Sequence, residues 1–333
     1  VASFGAARKP DWSRSTRLDV EESKKQMQSD DTKTDANVRR RYAPANMCLY
    51  CGTTDGKLTD EHVVPYAIGG TVVIPKASCS SCQTAVGKGE VMLARRTWLL
   101  RRAAHDFPSR SKLKGTSGYP TRLPFRVKHG GKKWTLRLPI EEAPITILFP
   151  RMRLPPWAEQ VAPADWPDGT SFKLHHVGGD VLHQDRTERL RRMIPKGASA
   201  SFDTDPVRLH LFFSVLYKVS LCAMWVSSPQ FFNSARADEI RQKGLFPKTG
   251  DRPDFEIDEY ADLFSRPTDV IDGRFGFRVR VFECQESSGA MSVYVGMVLL
   301  GGDPPIEHLC RIGPLSDMSW TPVVIDSQIG IHG

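Results

Sequence analysis

The 333-residue chain has little of several things, and each shortage narrows its chemistry. No internal repeat is present, which sets aside solenoid and propeller architectures. Neither a phosphate-cradling Gly-rich loop nor a nucleophile elbow occurs, so P-loop and serine-hydrolase chemistry have no motif to rest on. There is no charged-then-apolar leader with a cleavage site, and the seven cysteines are an odd number. Both point to a cytoplasmic protein whose thiols are reduced. Apolar periodicity is scarce from residue 1 to 45, which predicts a disordered charged tail. Acidic residues are scarce in one further stretch. From Lys88 to Arg137 there are fourteen Lys or Arg against Glu90 and Asp106 alone, a larger positive balance than the +8 of the whole chain.

What is there is concentrated between Cys48 and Cys82. Two Cys-x-x-Cys pairs, Cys48/Cys51 and Cys79/Cys82, bracket the run Thr59-Asp60-Glu61-His62-Val63-Val64-Pro65 and then Gly69-Gly70. Two residues between cysteines let both sulfurs turn to one side of a knuckle. Two knuckles supply the four thiolates of a closed tetrahedral Zn2+ site. Disulfides are the competing use, disfavoured by the odd count and the missing secretory signal. A segment this short has little core of its own, so the metal supplies much of its folding free energy.

Leu58 to Val64 alternates weakly and ends at Pro65, which predicts a short strand running into a turn. On a strand, Glu61 and His62 face opposite ways. One reading is hydrolytic: Glu61 or Asp60 binds a hard divalent ion and neutral His62 takes a proton from an attacking water. The other is an ordinary histidine hydrogen-bonded beside a zinc knuckle, and spacing alone favours it.

The combination Cys-x-x-Cys, Thr-Asp-Glu-His-Val-Val-Pro, Gly-Gly and Ala77-Ser78-Cys79-x-x-Cys82 resembles the HNH endonucleases. In particular it is similar to the zinc-bracketed subgroup of this ββα-metal, or His-Me finger, superfamily. The resemblance implies a metal-dependent endonuclease hydrolysing phosphodiester bonds in DNA. It makes His62 the general base and Glu61 the acidic ligand of a catalytic Mg2+ or Mn2+, with Pro65 and Gly69-Gly70 shaping the turn. The sequence departs from the pattern at Gln83, where many members carry Asn or His as a metal ligand. It departs again at Ile74-Pro75, where many carry an Asn. Glu90, seven residues beyond Gln83 and on the same face of any helix there, is a second candidate ligand. An alternative keeps the zinc scaffold as a nucleic-acid-binding module that does not cut.

The sequence pI near 9.1 favours a polyanionic partner. Arg39, Arg40 and Arg41 stand just before the first knuckle. Lys88, Arg95, Arg96, Arg101 and Arg102 follow the second, on or next to a helix predicted from Glu90 to His105. All are candidate phosphate contacts. The expected organisation is a tail over 1–45, an HNH module with its basic helix over 46–106, and an α+β domain of undisclosed role over 107–333. Within the last, a hairpin is predicted over Arg126–Ile140 with Gly130-Gly131 at its turn, then strands near Ile145–Phe149, Phe172–Val177, Phe277–Cys284 and Ser292–Leu300. His175, His176, Asp180 and His183 form a weak candidate for a second metal site. Pro206–Val226 predicts a long helix, nearly apolar all round, with Asp205 as its cap. Arg208, His210 and Lys218 argue for a central core helix and against a membrane span.

Overall fold

The computed structural model describes residues 40–99, 102, 121–155, 157–158, 166–176, 179–202, 208–245, 262–268, 277–299, 306–317 and 319–326. The predicted tail as far as residue 39, together with Arg101 and Asp205, lies outside these residues. The fold is α+β. β1 (Leu58–His62) and β2 (Val73–Cys79) pair antiparallel, and α1 (Ser80–Met92) follows directly, giving a ββα unit. Helix α1 begins ten residues earlier than the sequence suggests and runs through Gly87 and Gly89. Tertiary packing overrides the low propensity of glycine here. A Cβ at Gly89 would lie 2.9 Å from the Leu211 carbonyl oxygen, so its absence lets a second helix approach. Past Met92 the helix widens to a π-helical turn, Leu93–Thr97.

The predicted hairpin is β3 (Arg122–His129) and β4 (Lys132–Pro139), with β7 (Ser199–Phe202) added on the other side of β3. β5 (Thr146–Arg151) pairs with β6 (Ser171–His176). They lead to α2 (Gly179–Met193), a largely exposed helix that no apolar stripe announces. His176 and His183 stack with ring centroids 3.8 Å apart. The only His/Cys/Asp/Glu group of metal-binding geometry among the described residues lies elsewhere.

The second half is built on α3 (Leu209–Ser227), in which every residue from Phe212 to Met224 is buried. It starts at Leu209, three residues after Pro206. By length and composition it could cross a membrane, but here it packs against α1, α4 (Ala235–Leu245) and an antiparallel sheet. The strands of that sheet lie in the order β12 (Val323–Asp326), β9 (Arg278–Gln285), β10 (Met291–Val298), β11 (Ile306–Pro314) and β8 (Leu263–Pro267). One buried apolar cluster includes Cys48, Leu49, Tyr50, Val63 and Ile74 from the ββα segment together with most of α3 and the inner face of this sheet. The ββα unit therefore does not rely on its own few apolar residues. Its core is completed by a helix more than a hundred positions away.

Candidate active site and cysteine centre

Two short turns place the cysteines. The Gly52 N–H donates to Cys48 O at 2.8 Å and the Cys48 N–H to Thr53 O at 2.7 Å, curling the first knuckle. The second is the N-terminus of α1, with Cys79 as its cap and Cys82 in its first turn. Leu49 N–H donates to Ala77 O at 2.9 Å and ties the two together. All four Sγ atoms lie within 4.8 Å of one another. The Cys51 and Cys79 sulfurs are 3.8 Å apart, too far for a disulfide. That distance matches the edge of a tetrahedron with metal–sulfur bonds of about 2.3 Å. Burial, and then the charge on Cys48, push the Cys82 thiol up. At Cys79 burial is outweighed by hydrogen bonds led by Ser81, which hold that thiol down to about 6. Four thiolates so close repel one another, and Zn2+ is the ion whose geometry and softness suit them. The set is closed, so zinc here would hold the fold and offer no position to water.

His62 ends β1 and is half-buried. Its Nδ1 lies 3.1 Å from the carbonyl oxygen of Gly70. A carbonyl can only accept, so Nδ1 carries the proton and Nε2 is the basic nitrogen of the neutral ring. The loop from Pro65 to Gly70 makes that contact possible. Gly70 N–H donates back to Pro65 O at 3.2 Å, and a Cβ on Gly70 would collide with the Val64 carbonyl oxygen. Gly70→Ala is therefore expected to lower the thermal midpoint of the zinc-loaded protein by at least about 5 °C. Gly87→Ala, at a helical glycine with nothing within 4 Å of the added carbon, should leave the midpoint unchanged or raise it. Thermal unfolding followed by circular dichroism compares the two, and equal midpoints would contradict the close-approach argument.

Glu61 faces the other way, as strand alternation predicts, and meets Lys218 of α3. Lys218 Nζ is 3.0 Å from Glu61 Oε1 and 3.2 Å from Glu90 Oε1. It also donates to the carbonyl oxygens of His62 and of Val63, the latter at 3.3 Å. Glu61 and Glu90 thus do come together, but around an ammonium group. Burial alone would depress Lys218, yet Glu61 and Glu90 outweigh it and hold the amine above its usual range, so it stays charged. Burial pushes Glu61 up; Lys218 opposes this and Glu90 adds to it. Tyr50, wholly buried, closes the far side with its hydroxyl 3.7 Å from Cys222 Sγ.

The other expected metal ligands are dispersed. Asp60 is exposed and ion-paired to Arg41 at 2.7 Å. Gln83 is exposed near the start of α1. Glu90, seven residues and about 10 Å of helical rise further on, is turned to Lys218. Side-chain oxygens for a catalytic Mg2+ or Mn2+ are therefore not assembled from this set as it stands. Among the expected phosphate contacts, Arg40, Arg41, Lys88 and Arg95 are exposed, while Arg39, Arg101 and the Arg96 side chain lie outside the described residues. Arg102 is a correction. It is buried, with Nε 2.5 Å from Ala67 O and Nη1 2.6 Å from Ala94 O. Its guanidinium braces the loop after Pro65 against the helix and is not offered to a phosphate.

Lys218 is the residue that the sequence analysis misses as a site residue. The signal was present: a lone lysine in an otherwise buried apolar helix needs carboxylate partners. Sequence spacing, however, gives no hint of which ones. Comparison with curated proteins and with solved structures finds no match. Across residues 48–91, which hold both cysteine knuckles, the hairpin and almost all of α1, the chain matches the family model described as HNH endonuclease.

Proposed function

We propose that the protein is an HNH-type endonuclease that hydrolyses phosphodiester bonds in DNA. His62 acts as general base and a four-cysteine Zn2+ holds the ββα unit in register. The observation that carries this reading is the His62–Gly70 contact inside a segment that matches HNH endonucleases. It sets the tautomer that leaves Nε2 as the basic nitrogen of the ring. Water attacks phosphorus as Nε2 takes its proton. A new P–O bond forms, the ester P–O bond breaks, and the leaving oxygen gains a proton from solvent.

Nicking of supercoiled plasmid by the full chain tests the reading, run with Mg2+, with Mn2+ and with EDTA. The ion matters because its expected ligands, Glu61 with Asp60, Gln83 or Glu90, are the part of the reading that the geometry does not assemble. Absence of cleavage under every condition, with salt-sensitive DNA binding intact, would favour the second reading. In that case the scaffold binds nucleic acid without cutting it, and the commitment of Glu61 to Lys218 is what supports it.

The sheet of β3, β4 and β7 supports a polyanionic partner. Strand alternation puts Arg122, Arg126, Lys128, Lys133 and Arg137 on its exposed face with Ser199 and Ser201, and none of the three strands carries an acid. Lys128 and Lys133 sit directly opposite one another. Like charges so placed cost stability, a cost that a phosphate backbone relieves. The Lys128→Glu/Lys133→Glu double variant is expected to weaken DNA binding at least tenfold at low salt. It should also reduce the slope of log K against log salt by about 2. Fluorescence anisotropy across a salt series measures both, and an unchanged slope would remove this face from the interface.

A further inference from the structure

The environment of Lys218 is that of a bound cation. Four oxygens surround Nζ: one each from the carboxylates of Glu61 and Glu90, and the carbonyls of His62 and Val63. The Lys218 side chain is wholly buried, the Glu61 side chain is 9% exposed, and the Glu90 side chain 28%. Two carboxylates and two carbonyls are also the kind of oxygen set that a hard divalent ion selects. An ammonium and a divalent ion cannot share it, since both would claim the same lone pairs and repel each other at contact distance.

We infer that Lys218 is the resident cation of this oxygen cage, standing where Glu61 and Glu90 would otherwise bind a divalent metal. The amine reaches the cage from α3, 156 positions away from His62, and grips the backbone carbonyl of His62 itself. It therefore does two things at once. Glu61 and Glu90 share one fixed positive charge in place of an exchangeable ion, and the end of β1, where His62 stands, is fastened to the core helix of the second half. Lys218 is thus a positioning residue, acting through the His62 backbone. Any divalent ion used in cutting must then find its ligands outside Glu61 and Glu90. The inference rests on the nuclease reading only in treating His62 as catalytic. The occupancy of the cage is independent of it.

Titration of Mn2+ into the zinc-loaded full chain, followed by the electron paramagnetic resonance of unbound Mn2+, tests this without measuring cleavage. Wild type and Glu90→Gln are expected to bind Mn2+ alike, within about twofold, because the exchanged carboxylate already belongs to Lys218. Lys218→Ser empties the cage of its amine and is expected to gain a Mn2+ site at least tenfold tighter than any in wild type. Adding Glu61→Gln to Lys218→Ser should abolish that site. A tenfold loss of Mn2+ affinity in Glu90→Gln alone would overturn the inference, since it would show the carboxylate ligating metal with Lys218 in place. A folded, zinc-replete Lys218→Ser that gains no site would overturn it equally. If Lys218→Ser does not fold, the comparison of wild type with Glu90→Gln still decides. The expected pattern in a protein that never cuts DNA would sink the nuclease reading and leave this one standing.

Discussion

His62→Ala is expected to lower the rate of plasmid nicking by about 10²- to 10⁴-fold, the range that a positioned general base contributes. Zinc content and thermal midpoint should change little. Among the contacts the variant loses are the hydrogen bond from Nδ1 to Gly70 O and a tilted ring contact with Tyr66 at 5.6 Å. Together these are worth roughly 1 to 2 kcal/mol. A loss of rate that large beside a loss of stability that small separates chemistry from folding. His62→Asn sharpens the separation, because its amide can keep a hydrogen bond to Gly70 O but cannot take a proton. It should cut no faster than the alanine variant, with kcat and kcat/KM falling together. Residual nicking equal to wild type in both variants would place the base elsewhere or reveal a contaminating nuclease. Nicking restored in His62→Asn but not in His62→Ala would mean that the ring serves only to hold the loop.

The parts of the site that local spacing specifies were legible in the sequence. Cys48/Cys51 and Cys79/Cys82 converge because a two-residue gap makes a knuckle whatever surrounds it. The opposite facing of Glu61 and His62 follows from strand alternation. The hairpin turn falls at Gly130-Gly131 for an equally local reason. Helix α3 was visible from its long apolar run. Pairings over long sequence distance were not legible. Nothing near Glu61 announces Lys218, and nothing near Leu49 announces Arg241, whose Nε donates to the Leu49 carbonyl at 2.9 Å. Arg102 looked like surface charge because it lies in a basic stretch. Only its three-dimensional neighbours, two backbone carbonyls that need a donor, turn it inward. Helix α2 was missed because it buries only Leu190. The early start of α1 is hidden for a related reason: propensity counts Gly89 as a defect, while the close approach of Leu211 requires it.

Removing zinc is expected to cost more than any single surface change, and its effect should be graded along the chain. A closed four-thiolate site contributes about 10 to 16 kcal/mol of metal-binding free energy at neutral pH in small zinc-dependent modules. There the metal stands in for a missing core. Here Leu49, Tyr50, Val63, Val64 and Ile74 are fully buried in a cluster shared with α3, so part of the segment's stability comes from elsewhere. Chelation should therefore not produce a fully unfolded chain. Hydrogen exchange is expected to rise through the first knuckle, β1, β2 and the start of α1, while β9, β10 and β11 stay protected. Cys48→Ser or Cys82→Ser should weaken zinc at least about 100-fold and reproduce that pattern. Cys222→Ala and Cys310→Ala, buried cysteines outside the cluster, should keep full zinc content. Affinity should also fall as pH falls, because the ligands bind metal as thiolates and protons compete for them. The nicking assay connects this with the first expectation. The placement of His62 depends on the β1–β2 pairing, on the Gly70 contact and on the Lys218 grip of its carbonyl, and chelation is expected to loosen the first two and spare the third. If chelation left exchange across β1 and β2 unchanged, the shared core alone would hold His62 in place. The cysteines would then be doing something other than folding the hairpin.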